Sequence, residues 1–153
     1  MRLALAALLP AALAASPAAA QRSVADIAGS WDCERVDREG GAEAWSRSYM
    51  TIGPDGRVEQ NAFTRITGAD GEMTMRYRGT STLALEGSTM RWTLGDVAVT
   101  AVSFDGQDIT AKAAPQLRAQ LMEPVPDGTL LGATEGSLTY DSDGTVVGCT
   151  ARE

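Results

Sequence analysis

The chain has 153 residues and a formal net charge of −7, because 20 acidic residues outnumber 13 basic ones. An acidic surface disfavours nucleic acids and anionic membranes as partners, since both require basic patches. The sequence contains no histidine, which excludes Ser-His-Asp and Cys-His catalysis, histidine metal sites and imidazole pH switches. We therefore expect no catalytic residues, no metal site and no cofactor; an enzyme would have to use carboxylates, tyrosine or arginine alone.

Residues 1 to 20 have the pattern of a secretory signal peptide. Arg2 is a short basic region, Leu3 to Leu13 is apolar, and Ala18-Ala19-Ala20 supplies the small residues of a cleavage site. The apolar stretch is too short to cross a bilayer, which takes about 20 apolar residues. We therefore predict a mature chain that begins at Gln21, has no membrane insertion and is periplasmic or secreted.

The predicted mature chain, residues 21 to 153, has 153 − 20 = 133 residues. This length suits one domain with a single core. Removing Arg2 changes the net charge from −7 to −8. Twelve of the 13 basic residues are arginine and the leader is rich in alanine, a bias that indicates a GC-rich bacterial genome.

Cys33 and Cys149 lie near the two ends of the predicted mature chain. Two cysteines in an exported protein usually form a disulfide, and these two lack the C-x-x-C spacing of a redox pair. The predicted bond closes a loop of more than about 100 residues, worth about 4–5 kcal/mol in the chain-entropy model.

Asp-Gly and related turn signals recur at short intervals, and the segments between them alternate apolar and polar residues. This pattern is typical of antiparallel strands joined by tight turns. The clearest prediction is a hairpin whose loop, Glu86 to Thr89, pairs Leu85 with Met90 and Leu83 with Trp92, so that the apolar faces coincide. The strand candidates in chain order are Ser30 to Val36, Ser46 to Ile52, Arg57 to Ile66, Met73 to Leu85, Met90 to Leu94, Val97 to Val102, Gln107 to Lys112, Leu130 to Tyr140 and Thr145 to Ala151.

One late segment, Ala113 to Met122, follows a helical rather than a strand period. Ala114, Leu117 and Leu121 recur at helical spacing, and Pro124 stands just beyond the segment's end. We therefore predict a short amphipathic helix that packs on the sheet.

About eight strands joined by short turns, with one late helix, predict an all-β fold. The favoured architecture is an antiparallel up-and-down barrel, with a β-sandwich as the alternative. A bond between Cys33 and Cys149 suits the barrel, because the first and last strands become neighbours when the sheet closes.

Gly29-Ser30-Trp31 resembles the Gly-x-Trp that begins the first strand of lipocalins and other calycins. The resemblance implies a lipocalin-like barrel in which Trp31 packs across the closed end. It also implies that a late arginine, here Arg152, covers the tryptophan ring. The family's second motif, Thr-Asp-Tyr, is absent, so the resemblance supplies the architecture and the structural roles of Gly29, Trp31 and Arg152, and no ligand.

The most apolar surface that the strand pattern assembles is a candidate ligand-binding barrel interior, with a simple core as the alternative. Small residues on the same face, such as Gly79 and Ser81, leave room for a cavity or mark a flattening of the barrel. The candidate binding residues are Met73, Met75, Tyr77, Leu83, Met90 and Trp92.

Two polar patterns are weaker candidates. Arg76, Arg78 and Arg91 fall on the polar sides of adjacent strands, where they form either a small anion site or, more simply, a solvated outer face. The run from Asp141 to Gly144 resembles the start of a calcium loop but lacks a downstream bidentate glutamate, so we interpret it as a hairpin turn.

Two functions fit the sequence. The first is an exported, non-enzymatic lipocalin-like protein that binds a small apolar or amphipathic molecule in the barrel. The alternative is a periplasmic interaction or inhibitor module that binds an envelope protein and no small molecule. Its expected contact regions are the loop Arg38 to Ala44 and the proline-containing segment Glu123 to Thr129.

Overall fold

The structure is a computed structural model that describes residues 22–153. The predicted signal peptide, residues 1 to 20, lies outside the described residues. Within residues 22–153 the chain forms nine strands, one α-helix and one 3-10 helix. In chain order these are the 3-10 helix Val24–Ile27, β1 Gly29–Glu39, β2 Ala42–Ile52, β3 Arg57–Gly68, β4 Gly71–Glu86, β5 Thr89–Phe104, β6 Gln107–Asp108, α1 Thr110–Leu121, β7 Gly128–Ala133, β8 Ser137–Ser142 and β9 Thr145–Ala151.

The strands form one antiparallel sheet that closes into a barrel-like ring. They are ordered β4-β3-β2-β1-β9-β8-β7-β5, and β4 also pairs with β5, so the sheet returns to its starting strand. The two-residue β6 adds to the edge of β5. The predicted antiparallel fold of about eight strands with one late helix is confirmed.

The disulfide joins the first and last strands of the ring. Cys33 on β1 lies directly opposite Cys149 on β9, and the two sulfur atoms are bonded across 116 residues of sequence. Both side chains are buried in the core. The predicted pairing is therefore confirmed.

The β4–β5 hairpin has the predicted register, with Leu83 opposite Trp92 and Leu85 opposite Met90. The segment Val97 to Val102 continues β5. Two register shifts interrupt the pairing further along, and one of them begins at Gly79. A Cβ atom there would lie 3.2 Å from the Asp96 carbonyl oxygen, so the small residue allows close approach of the two strands.

Two segment predictions are wrong, and in both a polar side chain bonds to the backbone and ends a strand. The predicted strand Gln107 to Lys112 stops at Asp108, whose carboxylate accepts a hydrogen bond from the Thr110 backbone N–H at 2.8 Å. The helix then begins at Thr110 rather than Ala113.

The predicted strand Leu130 to Tyr140 is instead the hairpin of β7 and β8. Its turn forms at Thr134, whose hydroxyl oxygen accepts hydrogen bonds from the backbone N–H groups of Ser137 and Gly136 at 3.0 and 3.3 Å. Such side-chain bonds offer the backbone an alternative to the sheet ladder.

One end of the ring is packed with apolar side chains beneath the 3-10 helix. Ile27 is 1% exposed, and its carbonyl oxygen accepts a 3.1 Å hydrogen bond from the Trp31 indole N–H.

Helix α1 packs outside the ring against β5, and none of its side chains is fully buried. No helix in the described part of the chain is long and apolar enough to span a membrane. The core residues are Ile27, Trp31, Cys33, Met50, Ile52, Val58, Leu83, Met90, Leu130, Leu138, Val147 and Cys149.

Candidate functional site

Of the six residues predicted to line a ligand-binding interior, three belong to the packed core or pack against it, and one lines a cavity. Leu83 and Met90 belong to the core, and Trp92 packs against it. Met75 is buried and Met73 is half-buried on β4. Tyr77 lines a cavity further along the ring. Leu83, Met90 and Trp92 thus belong to the packed interior, whereas Tyr77 borders open volume.

This cavity has a polar lining, because the inward face of β1 changes character along the strand. Trp31 and Cys33 are apolar, and the next two inward residues, Arg35 and Asp37, are charged. The cavity volume is about 260 Å³, slightly below the roughly 300 Å³ at the lower end of ligand pockets. Its lining includes Ser46, Ser48, Gln60, Tyr77 and Tyr140 together with an apolar part formed by Cys33, Ala62 and Val147.

Arg35 and Asp37 form a bidentate ion pair within the cavity. The Arg35 Nε and Nη2 atoms donate to the two Asp37 carboxylate oxygens at 2.6 and 3.0 Å. The Thr145 hydroxyl on β9 also donates to Asp37. Burial raises the pKa of Asp37, but the hydrogen bonds from Arg35 and Thr145 outweigh it, so the pKa is lowered overall. Both members of the pair therefore stay charged at neutral pH.

Tyr77 and Tyr140 bring two phenol groups to the same cavity. Burial raises the pKa of Tyr77, and it raises the pKa of Tyr140 to about 12, while the positive charge of Arg35 opposes both changes. Both tyrosines are half-buried, and no fully buried side-chain polar atom of residues 22–153 lacks a hydrogen-bond partner, so the two hydroxyls are open to the cavity. The two phenols are thus neutral hydrogen-bond donors beside the guanidinium of Arg35.

Our sequence analysis missed Arg35, Asp37 and Tyr140, although a signal for the first two was present. The alternation that places Trp31 and Cys33 on the inward face places Arg35 and Asp37 there too. Charged side chains are rarely buried unless they are paired. Two charged residues of opposite sign on the same strand face as a core tryptophan therefore indicate an ion pair inside the ring.

The structure places Gly29 beside Trp31 and separates Trp31 from Arg152. A Cβ atom on Gly29 would lie 3.7 Å from the indole nitrogen, and Trp31 is 4% exposed. The guanidinium of Arg152 lies over the ring of Tyr49, 4.4 Å from its centroid, so the expectation that it covers Trp31 is wrong. The cause is strand alternation: Cys149 points inward, so Arg152, three residues later, points outward.

The outer face of the ring holds a second concave site. Arg76 and Arg78 border a groove of about 450 Å³ on this face, together with Trp45, Tyr49 and Phe63. Arg91 lies elsewhere, where it pairs with Glu86 at 3.3 Å and Asp127 at 3.4 Å. The three predicted arginines therefore do not form one anion site.

The remaining polar pattern forms a turn. Asp141 to Gly144 connects β8 and β9, and the Gly144 backbone N–H donates to the Asp141 carboxylate at 3.1 Å. In the described residues no group of three or more Asp, Glu, Cys or His side chains is placed to hold a metal ion.

Comparison of this chain with protein-family models and with curated proteins finds no match. The resemblance to lipocalins and other calycins therefore stays a prediction.

Proposed function

We propose that this protein binds a small amphipathic molecule in the polar cavity and acts as an exported, non-enzymatic, lipocalin-like binding protein. One observation carries the proposal: Tyr77 and Tyr140 line the same cavity as the Arg35–Asp37 ion pair. Both tyrosines are half-buried, and no fully buried side-chain polar atom in the described residues lacks a hydrogen-bond partner. Their hydroxyls are therefore open to the cavity, where they would donate to a ligand with hydrogen-bond acceptors.

The geometry narrows the class of ligand. The Arg35–Asp37 pair has no net charge, so it favours a neutral or weakly acidic polar group over a strong anion. Asp37 uses Nε and Nη2 of Arg35, which leaves the Nη1 group outside the ion pair. The apolar part of the lining, with Ala62 and Val147, suits a short hydrocarbon portion. A cavity of about 260 Å³ suits a small molecule, since it lies close to the lower end of the roughly 300–1,000 Å³ range of ligand pockets.

The test is native mass spectrometry of protein purified from its own periplasm or medium, repeated after denaturation. We expect a released small molecule, and we expect the Tyr77→Phe/Tyr140→Phe double variant to lose it. Tyr49→Phe is the matched control, because Tyr49 lies on the outer face. An empty monomer that also takes up nothing from an extract of its own periplasm would overturn the proposal, as would equal loss in the control.

The alternative, an envelope interaction module, is favoured by a separate feature. Glu123 to Thr129 joins α1 to β7, is exposed except at Gly128, and presents Val125 at 37% exposure between two prolines. The other expected contact region, Arg38 to Ala44, is the β1–β2 turn, where Arg38 pairs with Glu43 at 2.8 Å. A pulldown from envelope extract that recovers a partner with the native protein, but not with Val125→Asp, supports this function. Equal recovery with both proteins counts against this loop.

A further inference from the structure

The outer face of β2, β3 and β4 alternates arginine and aromatic side chains in register. Phe63 on β3 lies between Arg47 on β2 and Arg76 on β4. In the neighbouring row Trp45 faces Arg65. We name this surface the arginine–aromatic face, which comprises Trp45, Arg47, Tyr49, Asn61, Phe63, Arg65, Arg76, Arg78 and the adjoining Arg152.

Aromatic rings restrain several of these guanidinium groups. Arg76 lies over Phe63 at 5.1 Å from the ring centroid, and Arg65 lies over Trp45 at 5.6 Å. The two rings meet edge to face at 5.9 Å. A restrained guanidinium loses less rotational freedom when it binds, and its planar fork suits carboxylate groups. The face is therefore preorganised for oxyanions rather than for stacking, since the arginines already cover the rings.

The face also carries positive charge that the protein does not neutralise. Arg47 is held by Asp32 at 2.9 and 2.5 Å, which lowers the pKa of Asp32. Within residues 22–153, by contrast, Arg65, Arg76 and Arg78 have no carboxylate within 4.0 Å. The arginines that do have such partners outside this face are Arg35, Arg38, Arg57, Arg91 and Arg118.

The distance that Arg65, Arg76 and Arg78 span favours an extended ligand over a single small anion. Arg65 on β3 lies opposite Thr74 on β4, and Arg78 is four residues beyond Thr74 on the same strand. Those four residues correspond to about 14 Å at roughly 3.4 Å per residue. An extended peptide of about four residues covers this distance, and its alternate side chains repeat at the same interval as Arg76 and Arg78.

A membrane or a nucleic acid fits the molecule less well than a short segment. The predicted mature chain, which lacks Arg2, has a net charge of −7 − 1 = −8. The molecule outside the arginine–aromatic face is therefore acidic and repels a large polyanion. Screening limits this repulsion to about 8 Å at physiological salt, and a short segment confined to the face avoids most of it.

We propose that the arginine–aromatic face binds an extended acidic segment of a partner protein, whose carboxylates pair with Arg65, Arg76 and Arg78. This inference is separate from ligand binding in the cavity and does not depend on it. It assigns a role to two of the arginines that our sequence analysis grouped, Arg76 and Arg78.

The probe is a fluorescein-labelled octapeptide of alternating glutamate and serine, followed by fluorescence anisotropy. A peptide with glutamine in place of glutamate is the control ligand. We expect saturable binding of the glutamate peptide that weakens as NaCl rises from about 50 to about 500 mM. Arg76→Gln/Arg78→Gln should weaken it about tenfold or more, because charge-assisted hydrogen bonds are lost.

Arg57→Gln/Arg91→Gln is the matched control, since it removes the same charge from exposed arginines that pair with Glu59 and Glu86. We expect it to change the peptide affinity less than about twofold. Thermal melts of both variants check that the fold is retained. Equal weakening by the two double variants, or equal affinity for the two peptides, would overturn the proposal. Tighter binding to phosphatidylglycerol vesicles, lost in Arg76→Gln/Arg78→Gln, would also overturn it and assign the face to a lipid surface.

Discussion

At the scale of single residues, Arg35 and Asp37 link the lining of the cavity to the stability of the protein. Their side chains are 29% and 34% exposed, so the pair is partly shielded from water. Removing one member of such a pair leaves the other charge without its partner, which costs more than the pair itself contributes. The pair therefore has a structural role whether or not a ligand is bound.

Asp37→Asn should lower the free energy of unfolding by about 1–2 kcal/mol at pH 7, because Arg35 loses its counter-charge in a half-buried site. Urea unfolding measures the change. Glu43→Gln is the control: it breaks the pair with Arg38, whose side chain is 72% exposed, and should cost about 0.5 kcal/mol or less.

The deficit of Asp37→Asn should depend on pH in one direction. The folded-state pKa of Asp37 lies below its ordinary value of 3.8, so the carboxylate contributes stability that is present above that value. This contribution is lost as the pH falls through the folded-state pKa. The deficit should therefore shrink in acid, and a deficit that grows there would contradict this account of the pair.

Tyr140 provides a spectroscopic probe of the cavity. Its pKa is raised to about 12 by burial, so the folded protein should show a late phenol ionisation by ultraviolet absorbance, and Tyr140→Phe should remove it. Because the folded-state pKa exceeds the unfolded value of about 10, this burial contributes stability that is complete below pH 10 and declines toward pH 12. Ionisation of all tyrosines near pH 10 in the folded protein would contradict the buried position.

At the scale of secondary structure, the sequence predicts elements well where their signals are local. The β4–β5 hairpin follows from alternation and a short turn, and its register is as expected. Gln107 to Lys112 differs because the Asp108 carboxylate binds the backbone of Thr110 and starts a helix. Periodicity does not report that kind of competition, since it depends on one side chain rather than on the pattern of the segment.

The candidate site was less predictable than the fold, because strands distant in sequence build it. Arg35 and Asp37 come from β1, Tyr77 from β4 and Tyr140 from β8. Alternation indicates which residues face inward, but the position of each residue along the axis of the ring depends on how the strands are paired in register. The shifts that follow Arg76 and Gly79 are not visible in a hydrophobic pattern.

The β2–β3 turn depends on a glycine that meets another strand. Gly56 has φ +83°, and a Cβ atom there would lie 2.4 Å from the Leu83 carbonyl oxygen. The Leu83 backbone N–H also donates to the Gly56 carbonyl at 2.8 Å. Gly56→Ala should lower the free energy of unfolding by about 2–3 kcal/mol.

Gly87→Ala is the matched control for the Gly56 substitution. Gly87 has φ +64°, but its Cβ position has no neighbouring atom within 4 Å, so only the backbone penalty of about 1 kcal/mol applies. Chemical denaturation of both variants gives the comparison. Equal losses would show that contact with Leu83 adds nothing to the cost at Gly56.

At the scale of the whole molecule, the ring is held unequally around its circumference. Between β1 and β9 the Cys33–Cys149 bond reinforces the pairing. Reducing it, or replacing both cysteines with alanine, should lower the free energy of unfolding by about 2–5 kcal/mol. Thermal melts with and without reductant measure this, and an unchanged melting temperature would contradict a stabilising role.

The junction between β5 and β7 has the shortest ladder in the ring. Its ladder consists of Thr89 opposite Thr129 and Met90 opposite Gly128, with one further bond from the Leu130 backbone N–H to the Ser88 carbonyl oxygen. Short ladders open locally at a lower free energy than long ones. The ring should therefore open first at this junction, while the disulfide keeps β1 and β9 together.

Hydrogen exchange followed by mass spectrometry tests this order of opening. Backbone amides in β7 should exchange faster than those in β9, because local separation from β5 exposes them without global unfolding. Reduction of the disulfide should speed exchange in β9 and bring the two strands closer together in rate. Uniform rates in the oxidised protein would show that the ring opens as a single cooperative unit, in which the short β5–β7 ladder is supported by the core beneath Met90 and Leu130.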